Sequence, residues 1–370
     1  MKINPLIKLM IALVLISAAA LWYGCSRDNS AKEPGRIKIG GTNCWLRAHK
    51  APPQNLLEQA ESQVRFYEQS LNDEVDGSQI LDINAAAGER PVRVDAHVFE
   101  ILRKSLNFAR LSDGRYDPSA APLYDLWRKT TVENQTPSRN LVYSALEHVD
   151  YTRIRTNKGM QHVYLPDKRM QISMQPGLDG FVVDKAAELL QRNGVADVCI
   201  SKGIVRRSIN GNSQFTFSEE ILYENITERN VPVCTLKNLK ARCLVSLYAR
   251  QHLLIDLISG YPVKNGLVCL VSTGPEAYAA EVLAFTVATG DLHSGIALVE
   301  EIPFFEVLCI TDQKEIICTS GFESHLSDID SEYTLRVFDS RAEEDIPDER
   351  IAYFRSVVPF GTADGKNILR

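Results

Sequence analysis

Gly114-Arg115-Tyr116-Asp117-Pro118-Ser119-Ala120-Ala121-Pro122-Leu123-Tyr124-Asp125-Leu126-Trp127 is the stretch on which the reading of this chain turns. Its two prolines, four residues apart, lack amide hydrogens and fix φ, so neither a regular helix nor a central strand is expected across them. Asp117-Pro118 favours the start of a turn. Leu123-Tyr124-Asp125-Leu126-Trp127 then offers large apolar groups to a core or pocket. On these grounds the stretch is a rigid loop, and a plain connector is the simplest role for it.

Outward from that loop, apolar residues at helical spacing predict helices over 54–71 (Leu57, Ala60, Val64, Tyr67, Leu71) and 98–111 (Ile101, Leu102, Leu106, Ala109). A third helix is expected over 137–146, opened by Pro137-Ser138, a fourth over 184–193, stopped by Gly194, and a fifth over 277–289. Short apolar runs bounded by turn residues predict strands at 37–39, 162–165, 170–174, 196–200, 253–257, 268–272 and 307–311. There is no internal repeat and no low-complexity segment. From Phe322 onward apolar density falls and acidic residues crowd, as at Glu343-Glu344-Asp345. Residues 322–370 therefore read as a solvated acidic tail with one hairpin at most, around 333–338. The length suits one large domain or two lobes sharing a core.

The N-terminus reads as an export signal. Lys2 and Lys8 precede an apolar run over 9–23, short for a bilayer span, and Gly24-Cys25 follows as at a lipoprotein cleavage site. Residues 1–24 are expected to be the signal peptide, Cys25 the lipidated residue and 25–36 a polar tether; an uncleaved signal anchor is the alternative. Both readings put the globular part outside the cytoplasm; the lipoprotein reading has it lipid-anchored in a bacterial cell envelope and facing the periplasm, and Ser26 favours the outer membrane. Seven further cysteines remain, at 44, 199, 234, 243, 269, 309 and 318; an odd number leaves a free thiol or an intermolecular bridge. They form no C-x-x-C pair, and several lie in apolar runs where a buried small hydrophobe is the simpler role. A net charge of −6 without a basic block argues against a nucleic-acid partner.

Gly114, Tyr116, Asp117, Pro118, Pro122, Leu123, Leu126 and Trp127 together resemble the G-x-F-D-P-T-x-x-P-L-x-x-L-W signature of the ApbE family, the FAD:protein FMN transferases. Gly41-Thr42 sits where that family has M-G-T, and residues 78–84 where it has S-E-I-S-R-x-N. Residues 178–184 resemble A-K-G-Y-A-V-D, 259–263 resemble T-G-Y-P-V, and 280–286 fall at A-D-A-L-A-T. The likeness covers 37–321, so that span is expected to be one flavin transferase domain. It implies a two-lobed α+β fold with mixed and antiparallel sheets and a flavin cleft between the lobes. It also implies transfer of FMN from FAD to a Ser or Thr hydroxyl of an exported redox protein, a subunit of a membrane redox complex, with release of AMP. Mg²⁺ would neutralise the diphosphate in such a reaction. Carried over residue by residue, the Leu178 carbonyl, Glu281 and Thr286 would hold the metal. Asp256 and His252 would act at the reacting hydroxyl. Ser78, Asn84, Asp117, Asp179 and Arg206 would shape the cofactor site.

Several positions depart from the family pattern. Glu281 stands where the family has Asp, and Phe285 where it has the ligating Thr; Thr286 lies one residue on, about 100° around a helix. Asp179 replaces a lysine. Either it opposes the diphosphate, or it turns outward after Pro176-Gly177, and both readings stay open. Gln175-Pro176 replaces a glycine pair, Glu74 falls near a family aromatic, and Leu253 replaces a histidine with His252 beside it. Residues that shape turns and cores persist, while those expected to touch ligand change. Three functions follow as expectations: a transferase, a catalytically impaired flavin-binding or docking lipoprotein, and a hydrolase splitting FAD into FMN and AMP.

Overall fold

The computed structural model describes residues 35–48, 50–133, 135–209, 217–224, 230–239 and 243–338. The expected signal peptide, Cys25 and the end of the acidic tail lie outside them. The chain enters through β1 (Gly35–Lys38) and β2 (Cys44–Ala48), then α1 (Gln54–Leu71), α2 (Gln79–Ala85), β3 (Val92–Arg93), α3 (Ala96–Leu111), α4 (Ala121–Val132) and α5 (Arg139–Leu146). Next come β4 (Arg155–Asn157), β5 (His162–Tyr164), α6 (Leu178–Arg192), β6 (Val198–Lys202), β7 (Val205–Ile209), β8 (Phe217–Glu224), β9 (Asn230–Leu239) and β10 (Cys243–Tyr248). The last part runs through β11 (Ile255–Asp256), β12 (Tyr261–Pro262), β13 (Leu267–Gly274), α7 (Ala277–Ala288), α8 (Leu292–Glu300), β14 (Glu306–Thr311), β15 (Glu315–Cys318), β16 (Leu326–Ser327) and β17 (Thr334–Val337).

Nine strands make the main sheet, in the order β1-β2-β6-β7-β10-β13-β14-β15-β17. All its neighbours are antiparallel except β15 and β17. Because strand side chains alternate, the central strands feed two cores. Leu270, Val307 and Cys309 face the helices α1, α6, α7 and α8, while Cys269, Val271, Leu308 and Ile310 face β9 and Phe322. A third apolar cluster, Leu123, Trp127, Val142 and Ile255, joins α4, α5 and β11. The architecture is α+β, as the sequence implied. All seven described cysteines are buried, as expected of small core hydrophobes.

Some expectations are corrected. The stretch 114–127 is not a loop throughout, because α4 begins at Ala121. Pro122 falls in its first turn, where the missing amide would have had no partner anyway. Residues 170–174 are not a strand: Met170, Ile172 and Met174 are buried, but the only ladder contact there is an isolated parallel bridge from Gln171 to Ala120. The strand expected at 253–257 shrinks to β11, and α6 starts at Leu178 rather than 184. The hairpin expected around 333–338 is instead the single parallel edge strand β17, and Phe322 is fully buried, so the start of the acidic segment belongs to the sheet.

Candidate active site

Asp117 holds the turn that opens the decisive stretch. One carboxylate oxygen accepts from the Ser119 amide at 2.7 Å and hydroxyl at 2.6 Å, and the other from the Tyr151 amide at 2.9 Å. Burial raises its pKa, and these donors oppose the rise. With Pro118, Ala120, Ala121 and Tyr124, it lines one side of a cleft. Ser173, Gln175 and Pro176 line it as well, positioned by three contacts. The Ser173 amide donates to the Pro118 carbonyl at 2.9 Å, and the Ser173 hydroxyl donates to Asp73 at 2.9 Å. Asn84 clamps the same segment, donating to the Ile172 carbonyl at 2.9 Å and accepting from the Ile172 amide at 2.8 Å. Asn84 therefore shapes the cleft at one remove. Ser78 is buried and accepts from the Leu81 amide at 3.1 Å, so it caps α2 and touches no ligand space.

The helices α6 and α7 meet beside this cleft and cap each other. Neither has a side-chain cap at its own N-cap residue. From α7, Glu281 accepts from the Gly180 amide at 2.6 Å and from Gly177. From α6, Asp184 accepts from the Ala277 and Tyr278 amides, both at 3.0 Å, and pairs with Arg207. Each carboxyl thus satisfies amides that a helix start leaves open. Gly180 permits the approach, since a Cβ there would lie 2.5 Å from the Ala277 carbonyl oxygen. Asp184 ends the 178–184 motif, so its importance was signalled there, though its role was not.

This arrangement decides the metal question. Glu281 is almost fully buried; that burial first, and Asp179 second, push its carboxyl up to about 8 against the two amides. Thr286 is buried, and its hydroxyl donates to the Val282 carbonyl of its own helix at 2.8 Å. Leu178 is buried at the first position of α6. Magnesium takes charged or uncommitted oxygens. A carboxyl committed to two backbone amides, with a hydroxyl that donates into its own helix, does not fit it. Among the described residues no group of three His, Cys, Asp or Glu side chains is arranged for a metal ion. Glu281, expected at Mg²⁺, caps α6 here, and Thr286 is bonded within its own helix.

Asp179 lies 3.3 Å from Lys202, whose ammonium also sits 2.7 Å from Glu68. Burial raises the Asp179 pKa while Lys202 opposes the rise. Burial likewise disfavours the Lys202 charge, but the two carboxylates outweigh it and raise its pKa. A Cβ on Gly203, at the turn between β6 and β7, would lie 2.8 Å from the Asp179 carboxylate. Asp179 therefore points to the end of the sheet and not into the cleft, which settles the two readings left open. Arg206, on β7, does not line the cleft either; its neighbour Arg207 reaches Asp184.

The two expected catalytic residues are placed differently. Asp256 accepts from the Ile258 amide at 3.0 Å and the Ser259 amide at 3.2 Å, closing a turn away from the cleft lining. His252 stands perpendicular to Phe285, ring centroids 5.6 Å apart, and Phe285 lines the cleft. Its Nε2 is shielded and makes no hydrogen bond, and burial lowers its pKa, which keeps the ring neutral at pH 7. Sequence reasoning missed Tyr124, Asp73 and Arg128 as cleft residues. Tyr124 lay in the quoted stretch. Asp73 and Arg128 carry no local signal.

The ApbE family profile matches residues 40–212. The chain is 22% identical over 338 residues to the FAD:protein FMN transferase of Treponema pallidum (strain Nichols), covering 84% of this chain and 93% of that one. It is 21% identical over 275 residues to an FAD:protein FMN transferase of Klebsiella pneumoniae (strain 342), covering 73% and 86%. The fold is similar to the ApbE protein of Thermotoga maritima, with a TM-score of 0.66, 19% identity and coverage of 79% and 98%. It is also similar to the flavin transferase ApbE of Vibrio cholerae, with a TM-score of 0.66, 15% identity and coverage of 76% and 95%. With motifs in the same order and relatives matched over most of their length, the chain is similar to the ApbE family.

Proposed function

We propose that this protein transfers FMN from FAD to a hydroxyl of another exported protein. The observation that supports this most is that the segment matching the family signature, from Asp117 to Tyr124, forms a side of the cleft. The chain's similarity to curated FAD:protein FMN transferases over most of their length supports it further. In the reaction, a Ser or Thr hydroxyl oxygen bonds to the phosphorus bearing the FMN moiety. The bond from that phosphorus to the bridging oxygen breaks, AMP leaves with that oxygen, and the hydroxyl proton passes to a base. His252, neutral and beside the cleft wall, is the group proposed to take that proton. Asp256 would act through the fold of its turn. No step is routed through Mg²⁺, since Glu281 and Thr286 are engaged elsewhere. By family analogy the acceptor is a subunit of a membrane redox complex. Cys25 would carry the lipid that holds the domain at the periplasmic face of the envelope, so Cys25→Ser should move the protein from the membrane to the soluble fraction.

A second reading, a flavin-holding or docking lipoprotein, is favoured by the same engagement of Glu281, Thr286 and Asp179. The deciding experiment measures AMP released from FAD by the full chain, with and without an acceptor protein. Acceptor-dependent AMP together with covalent flavin on the acceptor is the expected result, and His252→Ala should lower its rate by roughly 10²–10⁴-fold. AMP without acceptor would replace transfer by hydrolysis. Bound flavin with no AMP would leave the second reading.

A further inference from the structure

We propose that the cleft takes the flat ring system of a flavin against Phe285, and that it does so without a divalent cation. This rests on the flavin reading above and sharpens it. Three residues within two turns of α7 carry the inference. Glu281 points to α6 and accepts from Gly180, and Thr286 is bonded back to the Val282 carbonyl. Phe285 alone of the three lines the cleft, in company with Tyr124, Ala121, Pro118 and Pro176. The helix therefore presents a ring to the cleft where a metal-binding helix would present oxygens. His252 packs edge-on against Phe285, with the ring planes at 85°.

The charges around the cleft agree with this. Among the described lining residues the one cation, Arg128, is already paired with Glu74 and lies 3.1 Å from Asp125. Both oxygens of Asp117 are taken by Ser119 and Tyr151, and Asp73 accepts from Ser173. With its one cation paired and two carboxylates in its lining, the cleft offers little to a diphosphate. Two aromatic side chains and two prolines suit a flat, polarisable ring, which gains from offset or edge contacts.

The test is a fluorescence titration of the detergent-solubilised full chain with FAD and with riboflavin, each in magnesium and in EDTA. Both ligands should bind, with affinity unchanged by EDTA. Phe285→Ala should weaken both by roughly 2- to 12-fold, the range expected for one aromatic contact. It should also remove the shift that bound flavin shows in its visible absorption, and Phe285→Tyr should restore both. Binding that requires magnesium, or binding and spectra indifferent to Phe285→Ala, would overturn the inference and leave the flavin reading standing. No flavin bound under any condition would overturn both.

Discussion

Glu281 shows how one residue can keep its place in a motif and change its work. Its carboxyl is raised from an ordinary 4.5 to about 8, chiefly by burial. Between those values the native state holds a proton that the unfolded chain releases, so stability falls as pH rises through that window. Below it the effect vanishes, because both states are protonated. Glu281→Gln keeps an oxygen for the Gly180 amide and cannot ionise. Its melting temperature should match wild type near pH 4.5 and exceed it near pH 8, by an amount on the order of a few kcal/mol in stability. Parallel pH profiles for the two proteins in thermal denaturation would contradict a buried, protonating Glu281. Asp117 and Asp184 also serve backbone amides: Asp117 accepts from Ser119 and Tyr151, and Asp184 from Ala277 and Tyr278.

At the scale of elements, the α6–α7 junction is the feature that places the cleft wall. Two helix starts lie side by side, each capped by a carboxyl from the other, and Gly180 lets them touch. Gly180→Ala would bring a Cβ to 2.5 Å from the Ala277 carbonyl oxygen and 2.6 Å from the Tyr278 nitrogen, backbone atoms that cannot rotate away. The variant should be less stable by about 1–3 kcal/mol, read as a lower urea midpoint with an unchanged slope; a wild-type midpoint would show that the junction gives freely. The α4 segment is joined to the rest in a similar way. Trp127 donates from Nε1 to the Gly260 carbonyl at 2.8 Å and packs edge-on against Tyr261. Two motifs far apart in the chain, the quoted stretch and 259–263, thus close on each other. Gly260, with φ of +78° and no room for a Cβ beside Val142 and Leu146, fits only as glycine.

For the whole molecule, the nine-stranded sheet is the frame, with both faces of its central strands buried. Amide hydrogen exchange should be slowest in β10, β13 and β14 and early in the two-stranded β11–β12 ribbon, whose loop exposes Ile258. Uniform exchange would mean the cleft-side lobe is as rigid as the sheet. Much of this frame was legible in the residues. The periodic runs of α1 and α3 and the short continuous apolar runs of β13 and β14 declare themselves, because helical spacing marks one buried face and an unbroken apolar run marks a strand buried on both. Motif order declared the family likeness and with it the α+β fold. The site was less legible. Pro122 read as a breaker because nothing local tells a first helical turn from an interior one. Glu281, Asp184 and Asn84 find their partners 101, 93 and 88 residues away. What the sequence determined by itself was which residues are apolar, where turns must fall and which family shares the pattern. Only the tertiary structure decided which oxygens are already spent on backbone amides, because that depends on which helix starts are brought together, and so it alone replaced an expected metal site by a pair of reciprocal caps with Phe285 facing the cleft.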